Sequence, residues 1–232
     1  MSDRVMPEYR IRADFDRPDK QQYEELINFA CAGISDAFRK RQTLPTEVKP
    51  LYAECPRIVG PALPVHATPG DELLALKAIE VAKPGDVIVV AGVRSEQFSF
   101  WGGIMSLMAQ KRQVAGLVTD GQVRDLEEIK EIKFPVYCTG HLPTAPCMDV
   151  PPGDLGYPMP FGRVIVSPGD IVVADPDGVV IVPKDYIAAV IEAVKNRVIK
   201  EEGWQKQIEA TKEMILSDTV KAILARRTVD EK

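Results

Sequence analysis

The sequence has few of the residues from which histidine and cysteine sites are built. Only two histidines occur among the 232 residues, His66 and His141. A serine–histidine–aspartate triad or a histidine-rich metal site is therefore not favoured. The four cysteines are widely spaced and form no Cys-x-x-Cys pair. This spacing argues against a zinc knuckle or a disulfide framework, and it is typical of a reducing, cytoplasmic compartment.

Long apolar runs and an excess of positive charge are also missing. No segment approaches the roughly 18 consecutive apolar residues of a membrane span, and the polar start at Met1–Glu8 does not resemble a signal peptide. The net charge is −5, with basic residues interspersed among acidic ones. We therefore expect neither a membrane partner nor a nucleic-acid partner. An acidic protein can still bind a small anion where its positive charge is local.

The composition that remains is that of a globular protein, with 45% hydrophobic residues and a length that suits one domain with arms. We predict an N-terminal arm over residues 1–20, a main domain over 21–200 and a helical C-terminal arm over 201–232. Short apolar runs alternate with helical spacing, as where a helix over Asp71–Ala82 precedes a strand over Val87–Val90. This alternation predicts an α/β fold, and the terminal helix is expected to break near Gly203.

One stretch combines a strand, a turn and charged residues. A predicted strand runs into Asp120-Gly121, after which Arg124-Asp125 opens a helix. Ligands of open α/β sheets gather at the carboxyl ends of strands. Arg124 offers a planar fork for a carboxylate, and Asp125 offers an oxygen ligand for Mg²⁺ or Mn²⁺. The same spacing is also compatible with an ordinary helix start beside a surface arginine.

A second stretch, Gly102-Gly103-Ile104-Met105, places two glycines before a predicted helix. The first N–H groups of a helix have no partner within it, so they form a ready site for an anion. A carboxylate could lie between these amides and Arg124, although a plain turn explains the glycines equally well. His66 is interpreted as a loop histidine. His141 follows a strand and could line a cleft.

The stretch WGGIMSLMAQKRQVAGLVTDGQVRD at residues 101–125 resembles the RraA-like family, which includes class II 4-hydroxy-4-methyl-2-oxoglutarate/4-carboxy-4-hydroxy-2-oxoadipate aldolases. Further stretches agree in order and extend the resemblance over about residues 30–200. They are ISDAF at 34–38, PGDELLALKAIEVAKPGDVIVV at 69–90, FPVYCTG at 134–140 and VSPGDIVVADPDGVVIVP at 166–183.

The resemblance implies a β/β/α sandwich of the swivelling-domain type, assembled as a homotrimer or homohexamer. It also implies a lyase that cleaves 2-oxo acids by a retro-aldol reaction and releases pyruvate, with decarboxylation of oxaloacetate as a related activity. Both reactions pass through a pyruvate enolate. Mg²⁺ or Mn²⁺ stabilises this enolate as a Lewis acid.

By position, the resemblance implies a role for each of several residues. Asp125 would hold the metal, Arg124 would pair with the 2-oxo and carboxylate groups, and the amides around Gly103, Ile104 and Met105 would bind the pyruvyl carboxylate. A glutamate of the C-terminal helix, matched to Glu201 or Glu202, would reach the site of a neighbouring subunit.

The sequence departs from the family pattern at Gly103, where aldolase members carry an acidic residue. The metal and pyruvate positions match, whereas the acid–base group of the aldol step does not. Decarboxylation of a β-oxo acid needs less acid–base assistance. Two alternatives stay open, namely a different lyase reaction in the same pocket and a non-catalytic regulator of the kind that binds ribonuclease E.

Overall fold

The computed structural model describes residues 9–146, 153–211 and 218–227. Predictions that fall on residues 1–8, 147–152, 212–217 and 228–232 lie outside these ranges. The chain divides into two units, residues 1–191 and 192–232, and each is described by itself.

The strands that the structure describes all lie in the first unit. They are β1 (Tyr9–Ile11), β2 (Lys49–Pro50), β3 (Ile58–His66), β4 (Val87–Ala91), β5 (Ser99–Trp101), β6 (Gly116–Thr119), β7 (Gln122–Val123), β8 (Val136–Cys138), β9 (Gly140–His141), β10 (Gly153–Leu155), β11 (Met159–Phe161), β12 (Val164–Val166), β13 (Ile171–Asp175) and β14 (Gly178–Val182).

The helices are α1 (Lys20–Tyr23), α2 (Cys31–Ala37), α3 (Leu73–Val81), α4 (Gly103–Lys111), α5 (Leu126–Glu131), α6 (Ile187–Thr211) and α7 (Asp218–Ala225), with 3₁₀ turns at Glu24–Asn28 and Lys184–Tyr186. Among the helices that the structure describes, none has both the length and the apolarity to cross a bilayer.

The main sheet has the strand order β1-β10-β3-β4-β6-β8-β2, and β13 joins β3 and β14. Strands β3, β4, β6 and β8 run parallel. Every residue of β4 is buried, as expected for a parallel strand that is covered on both faces. Ile88 and Val90 pack with residues of α3, α4 and α5, whereas Val87 and Val89 pack with residues of β11–β14. This layering confirms the predicted mixed α/β fold.

The prediction of a helix break near Gly203 is wrong, because α6 is continuous from Ile187 to Thr211. A glycine inside a helix costs only about 1 kcal/mol relative to alanine. That cost does not interrupt a helix of 25 residues. At the other end of the chain, β1 pairs in parallel with β10, so part of the predicted N-terminal arm is an edge strand.

A buried ion pair holds the segment after β1. The Nε and Nη2 atoms of Arg17 donate to the two carboxylate oxygens of Asp86 at 2.7 and 2.8 Å. The side chain of Asp86 is 1% exposed and that of Arg17 is 13% exposed. The Asp86 carboxylate also accepts the N–H of Lys83 at 2.9 Å. The carboxylate is thus satisfied only while Arg17 is in place.

We expect Arg17→Ala to destabilise the first unit by about 3 kcal/mol, because removing one partner leaves a buried charge uncompensated. Urea unfolding followed by the fluorescence of buried Trp101, in a Trp204→Phe background, measures the loss. Lys77→Ala removes an exposed ion pair with Glu80 and should cost about 0.5 kcal/mol or less. Equal losses of stability in the two variants would contradict the role of Arg17 as the partner that compensates the buried charge of Asp86.

Candidate functional site

A small parallel sheet of β5, β7 and β9 gathers the predicted site residues. Trp101 pairs with Val123, and Val123 pairs with His141. The chain leaves these three positions at the same edge of the sheet, because the strands are parallel. The strand β5 is followed by α4, and β7 is followed by α5. The carboxyl edge of this sheet therefore collects two helix starts and the segment after β9.

The first helix start is rigidly built. Gly102 precedes α4, and its carbonyl oxygen accepts both the N–H and the hydroxyl of Ser106 at 3.0 Å. The same hydroxyl accepts the indole N–H of Trp101 at 2.7 Å. The N–H of Ser106 is thus the first N–H of α4 that donates to a carbonyl oxygen four residues earlier. The helix geometry leaves the N–H groups of Ile104 and Met105 without intrahelical partners.

The second helix start has an unusual backbone. Asp125 lies in the left-handed region, with φ 62° and ψ 44°, and its side chain makes no capping bond to α5. Its Oδ2 atom instead accepts the N–H of Gly103 at 3.0 Å. Aspartate is one of the few residue types that tolerate this conformation. The bond joins the two helix starts and takes one of the three amides predicted to bind a carboxylate.

Arg124 lies beside this carboxylate. Its N–H donates to the carbonyl oxygen of Trp101 at 2.9 Å, and its Nε is 3.6 Å from Oδ2 of Asp125. The side chains of Arg124 and Asp125 are each 37% exposed. The backbone of Arg124 is therefore fixed to β5, while both charged groups stay accessible to a ligand.

Glycine is required at position 102 by the side chains that surround it. A Cβ atom there would lie 2.5 Å from Oδ2 of Asp125 and 3.2 Å from Cγ of Arg124. Any side chain at this position would displace the Arg124–Asp125 pair. The two glycines at the start of α4 are thus more than turn residues, although only Gly102 faces this pair.

The second glycine faces a residue that sequence reasoning missed. A Cβ atom at Gly103 would overlap Oε2 of Glu128 and lie 3.0 Å from the Cβ of Glu128. Glu128 is exposed, and its carboxylate has no hydrogen bond within the described parts of the chain. A side chain of Glu128 thus fills the space that a side chain at position 103 would use. The one available signal was that Glu128 is an acidic residue of the first turn of α5, close in sequence to Asp125.

The turn before Arg124 is held by buried polar contacts. The carboxylate of Asp120 accepts the N–H groups of Gly92 and Val93 at 2.9 and 3.1 Å, and burial raises its pKa. The hydroxyl of Thr139 donates to the carbonyl oxygens of Asp120 and Gly121. Asp120 and Thr139 therefore hold the turn that leads to Arg124.

A cavity of about 270 Å³ opens beside the charged pair. One part of its lining is the segment that follows β7, and the other part is the end of β9 with the residues after it. They are Arg124, Asp125, Leu126, His141, Leu142 and Pro143. His141 thus lines a cleft, the position that the sequence analysis allowed for it.

The donor set of this site suits a hard divalent cation with few protein ligands. Within residues 9–146, 153–211 and 218–227, no three His, Cys, Asp or Glu side chains cluster as a metal site. Asp125 offers Oδ1, which has no protein partner in those ranges. Mg²⁺ commonly binds through one or two carboxylates and completes its shell with water and substrate oxygens. Asp125 therefore fits the predicted role.

Glu201 and Glu202 lie on α6, in the second unit, and both are exposed. Oε1 of Glu201 accepts Nε of Arg197 at 2.7 Å, one turn earlier in the same helix. The contribution of either glutamate to a neighbouring subunit's site stays a prediction.

Comparisons with known proteins identify the family to which the chain belongs. A model of the RraA-like family, Aldolase/RraA, matches residues 31–181. A Halalkalibacterium halodurans protein, provisionally named 4-hydroxy-4-methyl-2-oxoglutarate aldolase, is 35% identical over 83% of this chain and 87% of its own. A Thermus thermophilus protein named 4-hydroxy-4-methyl-2-oxoglutarate aldolase is 30% identical over 49% of this chain and 69% of its own.

Solved structures share the fold. Streptomyces coelicolor RraAS2, described as an unusual member of the RNase ES inhibitor RraA protein family, has a TM-score of 0.73 at 28% identity. That match covers 83% of this chain and 99% of the other. The RNA-processing inhibitor RraA from a Thermus species has a TM-score of 0.60 at 26% identity, with coverage of 67% and 93%.

We expect Gly102→Ala to weaken the binding of Mn²⁺ in the presence of oxalate by roughly 10- to 100-fold, because the new methyl group displaces the charged pair by about 1 Å. Electron paramagnetic resonance measures the bound ion. Gly203→Ala is the control, since its added Cβ would meet no atom within 4 Å in the described residues, apart from those of its own helix backbone and its chain neighbours. Unchanged Mn²⁺ binding in a folded Gly102→Ala protein would contradict the packing argument.

Proposed function

Because the chain belongs to the RraA-like family, we propose that it is a lyase that cleaves a carbon–carbon bond of a small 2-oxo acid and releases pyruvate. One observation carries this proposal. Arg124 and Asp125 line a cavity whose volume of about 270 Å³ suits a small acid, and the N–H of Gly103 at the start of α4 donates to the same Asp125 carboxylate.

Each group of the site has a role in binding the pyruvyl end. The guanidinium of Arg124 pairs with the carboxylate and 2-oxo oxygens, for which its planar fork is suited. The N–H groups of Ile104 and Met105 are directed outward at the helix start and favour the same negative charge. Gly103 contributes differently, because its N–H holds the carboxylate of Asp125 in place.

Asp125 is the residue that would hold Mg²⁺ or Mn²⁺. When bound, such an ion supplies Lewis-acid stabilisation of the negative charge that develops on the 2-oxo oxygen. The homologues that carry an aldolase name support this reaction class, and metal dependence is our own proposal.

Proton transfer separates the two candidate reactions. In decarboxylation of oxaloacetate, the bond from C3 to C4 breaks, carbon dioxide leaves with its oxygens, and the enolate of pyruvate takes one proton at C3. Aldol cleavage also requires removal of the proton of the C4 hydroxyl, which returns to C3. We propose that Glu128 carries this proton, because its carboxylate lies against Gly103 and has no hydrogen bond within the described parts of the chain.

A regulator of ribonuclease E type is the second candidate. It is supported by the likeness to proteins described as inhibitors of RNA processing. A regulator of this kind needs a partner-binding surface and no turnover. A loss of metal-dependent turnover on changing Asp125 is therefore a property of the lyase alone.

We expect the protein to release pyruvate from oxaloacetate or 4-hydroxy-4-methyl-2-oxoglutarate with Mg²⁺ or Mn²⁺, and to lose this activity in EDTA. Asp125→Ala should reduce turnover by about 100-fold or more, since the ion loses its carboxylate. A lactate dehydrogenase assay measures pyruvate. Glu127→Gln removes a neighbouring exposed charge of α5 and serves as the control. No release by the folded, Mn²⁺-loaded protein would overturn the lyase proposal, and inhibition of a ribonuclease would then favour the regulator.

We expect Glu128→Gln to reduce aldol cleavage by roughly 100-fold, the usual contribution of a positioned acid or base, and to reduce decarboxylation of oxaloacetate much less. Mn²⁺ binding should not change. The ratio of the two reactions is the informative quantity, because a general loss of structure would lower both. Equal effects of Glu128→Gln and Glu127→Gln would contradict the role of Glu128.

A further inference from the structure

An apolar groove lies between α3 and α4, two of the helices that pack on one face of the main sheet. Leu76 and Ile79 line it from α3, and Leu107 and Met108 line it from α4. Its volume is about 480 Å³, which lies within the range of about 300–1,000 Å³ found for sites of small organic ligands. Its lining shares no residue with the smaller cavity at the candidate site.

The apolar surface of this groove is accessible and extends along both helices. The side chains of Leu107 and Met108 are each 39% exposed. One turn earlier, Ile104 on α4 and Leu73 on α3 are exposed as well, and residues three or four apart are neighbours on one helix face. A contiguous apolar patch of this kind marks a binding surface, whereas single exposed apolar residues do not.

Two cations stand one turn beyond Leu107 and Met108. Lys111 lies in the last turn of α4 and Arg112 follows it, and both side chains are exposed. Within residues 9–146, 153–211 and 218–227, neither side chain forms an ion pair or a hydrogen bond. The acidic lining residue, Glu80, is already paired, since its Oε1 lies 2.8 Å from Nζ of Lys77. The groove therefore ends in positive charge that the described residues do not neutralise.

An apolar stretch that ends in two cations matches an amphipathic anion. The acyl chain of a fatty acid would lie along the two helix faces, where removal of its methylene groups from water is favourable. Its carboxylate would meet Lys111 and Arg112, since ammonium and guanidinium groups both bind carboxylates. An uncharged ligand would leave both cations without a partner.

A second copy of the chain suits the groove less well. The described segment with a comparable apolar face is α7, on which Val220, Ile223 and Leu224 are exposed at helical spacing. Residues 218–227 contain one acidic residue and three basic ones. The positive charge of this segment would lie against that of Lys111 and Arg112, and like charges repel.

We propose that the groove between α3 and α4 binds a medium-chain fatty acid, with its carboxylate at Lys111 and Arg112 and its acyl chain against Leu76, Leu107 and Met108. This inference does not depend on the lyase activity, because the lining contains no residue assigned to that activity.

Methionine-methyl NMR of the full-length protein tests binding at this place, with octanoate as the acid and 1-octanol as its uncharged analogue. We expect octanoate to shift the signal of Met108 and to leave that of Met159, which packs on the other side of the main sheet. Lys111→Gln/Arg112→Gln should weaken octanoate about 10-fold, the loss of one hydrogen bond to a charged group. The same variant should bind 1-octanol as the wild type does.

Lys130→Gln/Lys133→Gln is the matched control. It removes two exposed lysines at the end of α5, a helix that does not line the groove, and it should leave octanoate binding unchanged. A Met108 signal that octanoate does not move, or equal weakening by the two double variants, would overturn the inference.

Leu107→Glu tests the apolar part of the groove, because it places a carboxylate where the acyl chain would lie. We expect it to abolish octanoate binding in a folded protein whose molecular mass by light scattering equals that of the wild type. Retained octanoate binding would overturn the inference. A smaller mass would do so as well, since it would show that copies of the chain bury this groove between them.

Discussion

The hydrogen bond from the N–H of Gly103 to the carboxylate of Asp125 is the interaction on which the site depends. It exists because Asp125 adopts a left-handed backbone and directs its side chain away from α5. The bond fixes the starts of α4 and α5 against each other and leaves Oδ1 for another ligand. Gly102 makes this approach sterically possible, since a Cβ there would meet the same carboxylate.

The polar groups around the cavity fall into two kinds. Asp120 and Thr139 bind main-chain groups and hold the turns that end β6 and β8. Arg124, Asp125 and His141 are anchored through their backbones, while their side chains stay accessible. Rigid turns with accessible side chains are what a binding site requires, because the cost of ordering those turns is met in folding and not on ligand binding. The proposed binding of a small 2-oxo acid at Arg124 and Asp125 relies on this division.

Much of the fold could be predicted from local patterns. The apolar run Val87–Val90 and the helical spacing over Asp71–Ala82 correspond to β4 and α3, and the family resemblance is confirmed by the match over residues 31–181. The expected break at Gly203 was wrong, because α6 is continuous through this residue. The free-energy cost of one glycine is smaller than the stability that the other residues and hydrogen bonds of this long helix provide. Local propensity thus located elements better than it located their ends.

The sequence by itself determined the pairing of Arg124 with Asp125, because adjacent residues at a strand-to-helix turn stay together however the rest of the chain packs. It also indicated the helix start at Gly103. Only the tertiary structure placed Glu128 against Gly103 and His141 beside Arg124 and Asp125. The first depends on how closely α4 approaches α5, and the second on the pairing of β9 with β7. Both are distances across the fold, and no residue spacing encodes them, since they follow from the packing of whole elements.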